Sequence, residues 1–205
     1  MRCGMAEADV LKVENPVPGV LIHSGWYPKE GTQGLLDEVI VAADVEYSVC
    51  PWTRSTLGDD FRVADYRSTV ESAVGNVFGI NDETFFPLQK KLSAFIRDLD
   101  PLVHDFRSVY DLHVTEDAGF QVLRYENKAE YRIHHDHGAH NERSLSMVCF
   151  LNDNFVGGEL EFPYFDLKIT PVQGMVVLFP SNFPYAHIAH PVEDGSKYSL
   201  VTWYS

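Results

Sequence analysis

With 205 residues, 45% of them hydrophobic, the chain is long enough for one domain with a sizeable core, and no composition shift or linker divides it. Thirty Asp and Glu against sixteen Lys and Arg leave a formal net charge of -14, which repels phosphate backbones and anionic lipid, argues against nucleic-acid binding and makes a basic or neutral substrate easier to accommodate. No apolar run approaches the ~18 residues that span a bilayer, the opening MRCGMAEADV lacks a signal-peptide core, and Cys3, Cys50 and Cys149 lack CxxC spacing, so a reducing, cytoplasmic, membrane-free setting is expected.

The first part, about 1–115, reads mainly helical. After Thr32, a capping residue, Leu35, Leu36, Val39, Ile40 and Ala43 recur on one helical stripe. Residues 50–74 are mixed and polar and read as loop with a short strand or helix, leaving Arg54, Ser55, Arg67 and Ser68 without a role. Asn81 or Asp82 can cap a second helix in which Phe85, Leu88, Leu92, Phe95, Ile96 and Leu99 share a face, with Pro87 tolerable in the first turn and Pro101 discouraging extension.

From about residue 116 the period changes. Segments 120–125, 145–151, 159–162, 167–170, 175–179 and 198–204 are short and rich in β-branched and aromatic residues, as strands are. Gly157-Gly158, Pro163, Pro171, Gly174, Pro180, Pro184 and Gly195 punctuate them, which suits an antiparallel sandwich or barrel with helices covering one sheet face. The expected fold class is therefore α+β, mainly β, in a single domain over 1–205.

The chemistry concentrates in this second part. In an extended segment His134 and Asp136 point the same way, and a distant histidine, His187, can complete a three-sided cap on a metal. Two imidazoles and one carboxylate leave open positions on an octahedral ion, the arrangement associated with non-haem Fe(II) oxygenases. Lys197, ten residues after His187 and past a turn at Gly195, can return a cation toward the same site and attract an anionic chelator.

The stretch from Gln121 to Tyr204 resembles the prolyl 4-hydroxylase type of Fe(II)/2-oxoglutarate dioxygenase. The likeness is carried by QVLRYENKAEYRIHHD, with Tyr125 nine and Tyr131 three residues before His134, then by RSLSMVCFLND and GGELEFPYFDLKITPVQGMVVLFPS. It closes with HIAHPVEDGSKYSLVTWY, where His187 stands four residues before Pro191 and Lys197 six after it. The resemblance implies a double-stranded β-helix (jelly-roll) core of about 116–205 with N-terminal helices packed on one sheet. It further implies Fe(II) held by His134, Asp136 and His187, O2 as oxidant, and 2-oxoglutarate anchored through its distal carboxylate by Lys197 and Tyr125. Ascorbate is a candidate auxiliary reductant. Arg143, Tyr131 and Trp203 match positions near a proline-containing peptide or protein substrate, with Arg143 donating to a backbone carbonyl and the two aromatic rings forming a wall. Lys128 stands where the family often has glycine, and Leu160 where it often has threonine. The sequence carries no signal for an oligomeric state.

Other histidines compete on paper only. His135 should point away from His134, His137 shares its side, and His140 lies beyond Gly138, so these read as loop residues. His190 reads as a surface or supporting residue, and His23, His104 and His113 as structural. Other readings are an oxygenase of free amino acids or small metabolites, a noncatalytic metal- or acid-binding β-helix protein, and a zinc hydrolase with the same ligands. Lys197 favours an oxygenase over a metal store, which has little use for a placed cation.

Overall fold

The computed structural model describes residues 11–56, 65–114, 117–138 and 142–205. In chain order it contains β1 (Lys12–Val17), β2 (Val20–Ser24), α1 (Lys29–Asp44), β3 (Thr53–Arg54), β4 (Val70–Ser72), α2 (Phe86–Tyr110), β5 (Gln121–Glu126), β6 (Tyr131–His134) and β7 (Leu145–Phe150). There follow β8 (Val156–Gly157), β9 (Leu160–Phe162), β10 (Leu167–Ile169), β11 (Val176–Pro180), β12 (His187–Ala189), β13 (Val192–Asp194) and β14 (Ser196–Tyr204). The large sheet runs β1-β2-β11-β7-β14-β5-β4-β3; a smaller one runs β10-β9-β12-β6, and β13 pairs with β8. All the strand pairs are antiparallel.

Alternation along the strands separates two cores. Val176, Leu178, Cys149, Met147 and Leu200 face α1 and α2, where Leu35, Leu36, Val39, Leu92, Phe95 and Leu99 meet them. On the opposite face, Val177, Phe179 and Phe150 pack against Leu160, Phe162 and Ile169 of the small sheet. The site lies between the two sheets. Beside it, Leu123, Tyr125, Val201 and Trp203 form a third cluster with Ala189 and Val192.

The N-terminal part departs from the helical expectation. β1 and β2 join the large sheet, and β1, which carries Pro16, sits at its edge, where a missing backbone donor is tolerated. Helix α1 begins at Lys29 rather than after Thr32, whose hydroxyl instead donates to the Lys29 carbonyl from a buried position. Asp82 does cap, accepting from the Thr84 backbone at the 3-10 turn that leads into α2. Pro101 does not end α2, which continues to Tyr110. A mid-helix proline costs about 3 kcal/mol. Beyond it, however, Leu102, Val103 and Phe106 are buried, and at roughly 1.5–3 kcal/mol each they outweigh it.

The turn between β5 and β6 answers the Lys128 substitution. Asn127 and Lys128 both take positive φ, 53° and 65°, and Ala129 N donates to Glu126 O at 2.9 Å. The chain keeps the left-handed geometry that glycine would adopt freely, and Lys128 N donates to Val192 O. Lys128→Gly should therefore raise stability by about 0.5–1 kcal/mol, seen as a Tm roughly 1–4 °C higher in thermal unfolding. An unchanged or lower Tm would show that the turn bears no strain there.

Candidate metal centre and its cavity

Strands β6 and β12 pair so that His134 lies directly opposite His187. Strand β6 ends at His134, so Asp136 is not on the same strand as expected; it follows just beyond, where the Asp136 and His137 backbone amides both donate to Ser181 O, at 3.0 and 2.9 Å. The three ligand atoms lie within 4.8 Å of one another. His134 Nε2 is 3.6 Å from Asp136 Oδ1, and His187 Nε2 is 3.8 Å from Asp136 Oδ2. Donors at about 2.0–2.2 Å from one ion sit roughly 3 Å apart when adjacent, so each carboxylate-imidazole pair needs to close by less than about 1 Å.

The supporting contacts aim these donors. His134 Nδ1 meets Arg132 O at 2.8 Å and His187 Nδ1 meets Tyr185 O at 3.2 Å. Each carbonyl takes an Nδ1 proton, which leaves Nε2 free as a lone-pair donor. Ser146 Oγ donates to Asp136 Oδ2 at 2.7 Å and is itself bonded to Ser181 Oγ at 2.8 Å. Burial by itself would raise the Asp136 carboxyl, but His187 and His134 beside it, with hydrogen bonds from Ser146 and Trp203, hold it low and ionised. Burial and the neighbouring His187 push His134 down, toward the neutral imidazole. Both protonation states are those a divalent metal requires.

Tyr131 stacks flat on His134, with ring centroids 3.4 Å apart and planes 11° apart. Residues three apart in a regular strand face opposite ways. Here the pairs His187↔His134 and Ala189↔Tyr131 set two steps of β12 against three of β6, and this bulge turns both rings to one face.

The other predicted residues line the same cavity, of about 880 Å³. Lys197 lies opposite Tyr125 in the β14–β5 ladder and is 2% exposed. Its Nζ donates to Gly158 O at 2.7 Å and sits 4.3 Å above the Tyr125 ring, so the tyrosine offers its face as well as its hydroxyl. The glycine pair makes this possible. Both take positive φ, a Cβ on Gly157 would strike the Pro191 carbonyl, and one on Gly158 would crowd the Lys197 stem at 3.2 Å. Burial brings the Lys197 ammonium down to about 7 and the Tyr125 hydroxyl up to about 12. Arg143 lies over the Trp203 ring at 3.7 Å.

Sequence reasoning missed several lining or supporting groups. Ser199 lies two residues from Lys197, hence on the same face of β14; it lines the cavity, is 2% exposed, and its Oγ has no partner among the described residues. That spacing was a readable signal. Arg67, left without a role, is 8% exposed, pairs with Glu71 at 2.9 Å, donates to Thr56 O and lies over Tyr131 at 4.8 Å. Nothing in its local sequence points there. Of the remaining histidines, His135 and His137 are exposed on the cavity rim, His190 bonds Glu161 at 2.5 Å, His23 is buried in the large sheet, and His104 and His113 are exposed. His140 lies outside the described residues.

Residues 120–205 match the family model described as the 2OG-Fe(II) oxygenase superfamily, a segment that contains every predicted site residue. No curated protein matches the chain. Among solved structures, it is similar to a prolyl hydroxylase from Trichoplax adhaerens in complex with a hypoxia inducible factor oxygen degradation domain peptide fragment, at 20% identity, covering 91% of this chain and 83% of that one with a TM-score of 0.71. It is also similar to a Pseudomonas putida prolyl-4-hydroxylase (20% identity, 91% of each chain, TM-score 0.66) and to the viral collagen prolyl hydroxylase of Paramecium Bursaria Chlorella virus-1 (15%, 90% and 94%, TM-score 0.60). The chain thus shares its fold with these prolyl hydroxylases over about nine-tenths of its length, and the family match falls on its β-sheet part.

The Lys197 environment has a pH consequence. A bound dicarboxylate favours the charged ammonium and raises its pKa above the free-site value of about 7. Binding of 2-oxoglutarate should therefore be strongest below about pH 7 and weaken by up to about tenfold per pH unit above it. Titration calorimetry between pH 6 and 9 with Mn(II) in the site measures this, and a flat profile contradicts it.

Proposed function

We propose that this chain is an Fe(II)- and 2-oxoglutarate-dependent hydroxylase that adds oxygen to proline in a peptide or protein. The observation that carries the reading is the joining, in one cavity, of a two-histidine, one-carboxylate triad with a buried lysine. The family match over residues 120–205 implies Fe(II), 2-oxoglutarate and O2. Bound iron and co-substrate supply the oxidising power, coupling decarboxylation of 2-oxoglutarate to succinate and CO2 with insertion of oxygen into a C–H bond.

The residues of the chain bind, orient and exclude water. His134, Asp136 and His187 would hold the metal. Lys197 pairs with the distal carboxylate of 2-oxoglutarate, with the Tyr125 hydroxyl and the unpartnered Ser199 hydroxyl as further donors. Phe162 and Phe179 pack against the His187 ring, at centroid distances of 5.8 and 4.8 Å, and keep that side dry. Tyr131, stacked on His134, and Trp203, under Arg143, would form the wall against the substrate, with Arg143 as a donor to it.

A peptide suits the cavity better than a free amino acid, because the space reaches from Lys197 out to Arg132, His135 and Tyr164 at the surface. Ascorbate as auxiliary reductant belongs to this proposal too. So does a reducing compartment, supported by the free, buried Cys50 and Cys149. Among the described residues no helix is long and apolar enough to cross a membrane. The N-terminal elements and the β-helix are taken as one domain because they share a core.

Turnover of 2-oxoglutarate to succinate with Fe(II), absent with Zn(II), tests the reaction class and separates it from a zinc hydrolase and from a metal store. Incubation with proline peptides, followed by a mass search for one added oxygen, tests the target. His134→Ala and Asp136→Ala should each abolish metal-dependent turnover; normal activity in either purified variant refutes the ligand assignment. Lys197→Ala should raise the 2-oxoglutarate KM on the order of 100-fold, and Ser199→Ala roughly tenfold, both with metal affinity retained. Unchanged KM values would remove these two from the co-substrate's site.

A further inference from the structure

The cavity wall reverses the charge of the protein. Acidic residues outnumber basic ones by nearly two to one in the chain, yet the described lining residues include Arg67, Arg132, Arg143 and Lys197 against only Glu71 and Asp136. Most of this charge is already answered. Arg67 pairs with Glu71 and also donates to Thr56 O and Thr69 Oγ, and Arg132 pairs with Glu130 at 2.9 Å. Lys197, Asp136, a divalent metal and a bound dicarboxylate cancel one another. What remains is Arg143.

Arg143 is half-buried, its guanidinium carbon lies 3.7 Å from the centre of the Trp203 ring, and it forms no ion pair among the described residues, Asp136 and Glu71 acting on it only from beyond ion-pair distance. A guanidinium stacked on an aromatic face can still donate along its edge. The His137 ring contacts the Arg143 carbonyl at 2.9 Å, which holds the backbone in place. Trp203 in turn hydrogen-bonds Asp136, so this cation stands one indole away from the metal ligand. A neutral backbone carbonyl could accept a hydrogen bond from Arg143 but would not offset its charge; a carboxylate does both, in bidentate geometry.

We propose that the cleft recognises an acidic peptide, and that Arg143 pairs with an Asp or Glu side chain close in sequence to the oxidised residue. This rests on the hydroxylase reading for the position of the oxidised residue. It differs from the expectation of a basic or neutral substrate drawn from net charge alone, because it weighs the local field at the cleft.

The test uses the full chain loaded with Mn(II) and 2-oxoglutarate. Fluorescent peptides with a central proline carry Asp, Asn or Lys at each of the two positions before and after it, and binding is followed by anisotropy at low and high salt. At least one Asp peptide should bind on the order of tenfold more tightly than its Asn counterpart, with the advantage shrinking at high salt. Arg143→Gln should erase that advantage and Arg132→Gln should keep it. Should Arg143→Gln fail to fold, the Asp-to-Asn ratio and its salt dependence in the unaltered protein decide the matter. No Asp preference at any position, a preference that survives Arg143→Gln, or no peptide binding at all overturns the proposal. A mass search on the same peptides keeps the two readings apart. Oxygen added without Asp preference sinks the acidic-peptide inference alone, whereas Asp preference without added oxygen sustains it and sinks proline as the target.

Discussion

The site depends on one strand pairing, that of β6 with β12. Because side chains alternate along a strand, sliding either partner by one residue would turn a metal-binding imidazole away from the other. Placing His134 opposite His187 therefore ties the candidate metal centre to the register of two very short strands. The bulge within the same pair brings Tyr131 onto His134, and the ladder through β9 ties β12 into the small sheet. Asp136, beyond the end of β6, depends instead on Ser181, at the end of β11, and on Ser146 in β7. The triad thus draws its rigidity from both sheets.

A second constraint works through absence of side chains. The Gly157-Gly158 pair leaves room for a four-carbon lysine stem to cross the interior and end on the Gly158 carbonyl. Desolvating an ammonium is costly, and the Tyr125 face and one backbone oxygen offset only part of that cost. In the proposed reading, a dicarboxylate that reaches Lys197 would remove the remaining penalty.

What could be read in the sequence, and what could not, follows from the range of each signal. Strand periods, turn glycines, HxD and the distance from His187 to Lys197 are local patterns, and they located the core strands and the triad. The tertiary exceptions were not local. Asp136 lies off the strand that should have carried it, and its place is set by a hydrogen bond from Ser146, 10 positions away, and one that its own amide donates to Ser181 O, 45 positions away. Helix α2 runs through Pro101 because buried residues beyond it outweigh a local penalty. Arg67 reaches the cavity from a polar stretch with no periodicity, and β1 was hidden by Pro16, which its edge position accommodates.

The large sheet also shows where an autonomous unit must begin. β2 covers the free side of β11, and β4 covers that of β5, while α1 and α2 bury the outer face of both. A fragment restricted to residues 120–205 would keep His134, Asp136 and His187 yet present two unpaired strand flanks and a bare aliphatic surface to water. The residues that name the chemistry are thus fewer than those needed to keep it soluble, and a minimal catalytic fragment has to retain the N-terminal hairpin and both helices.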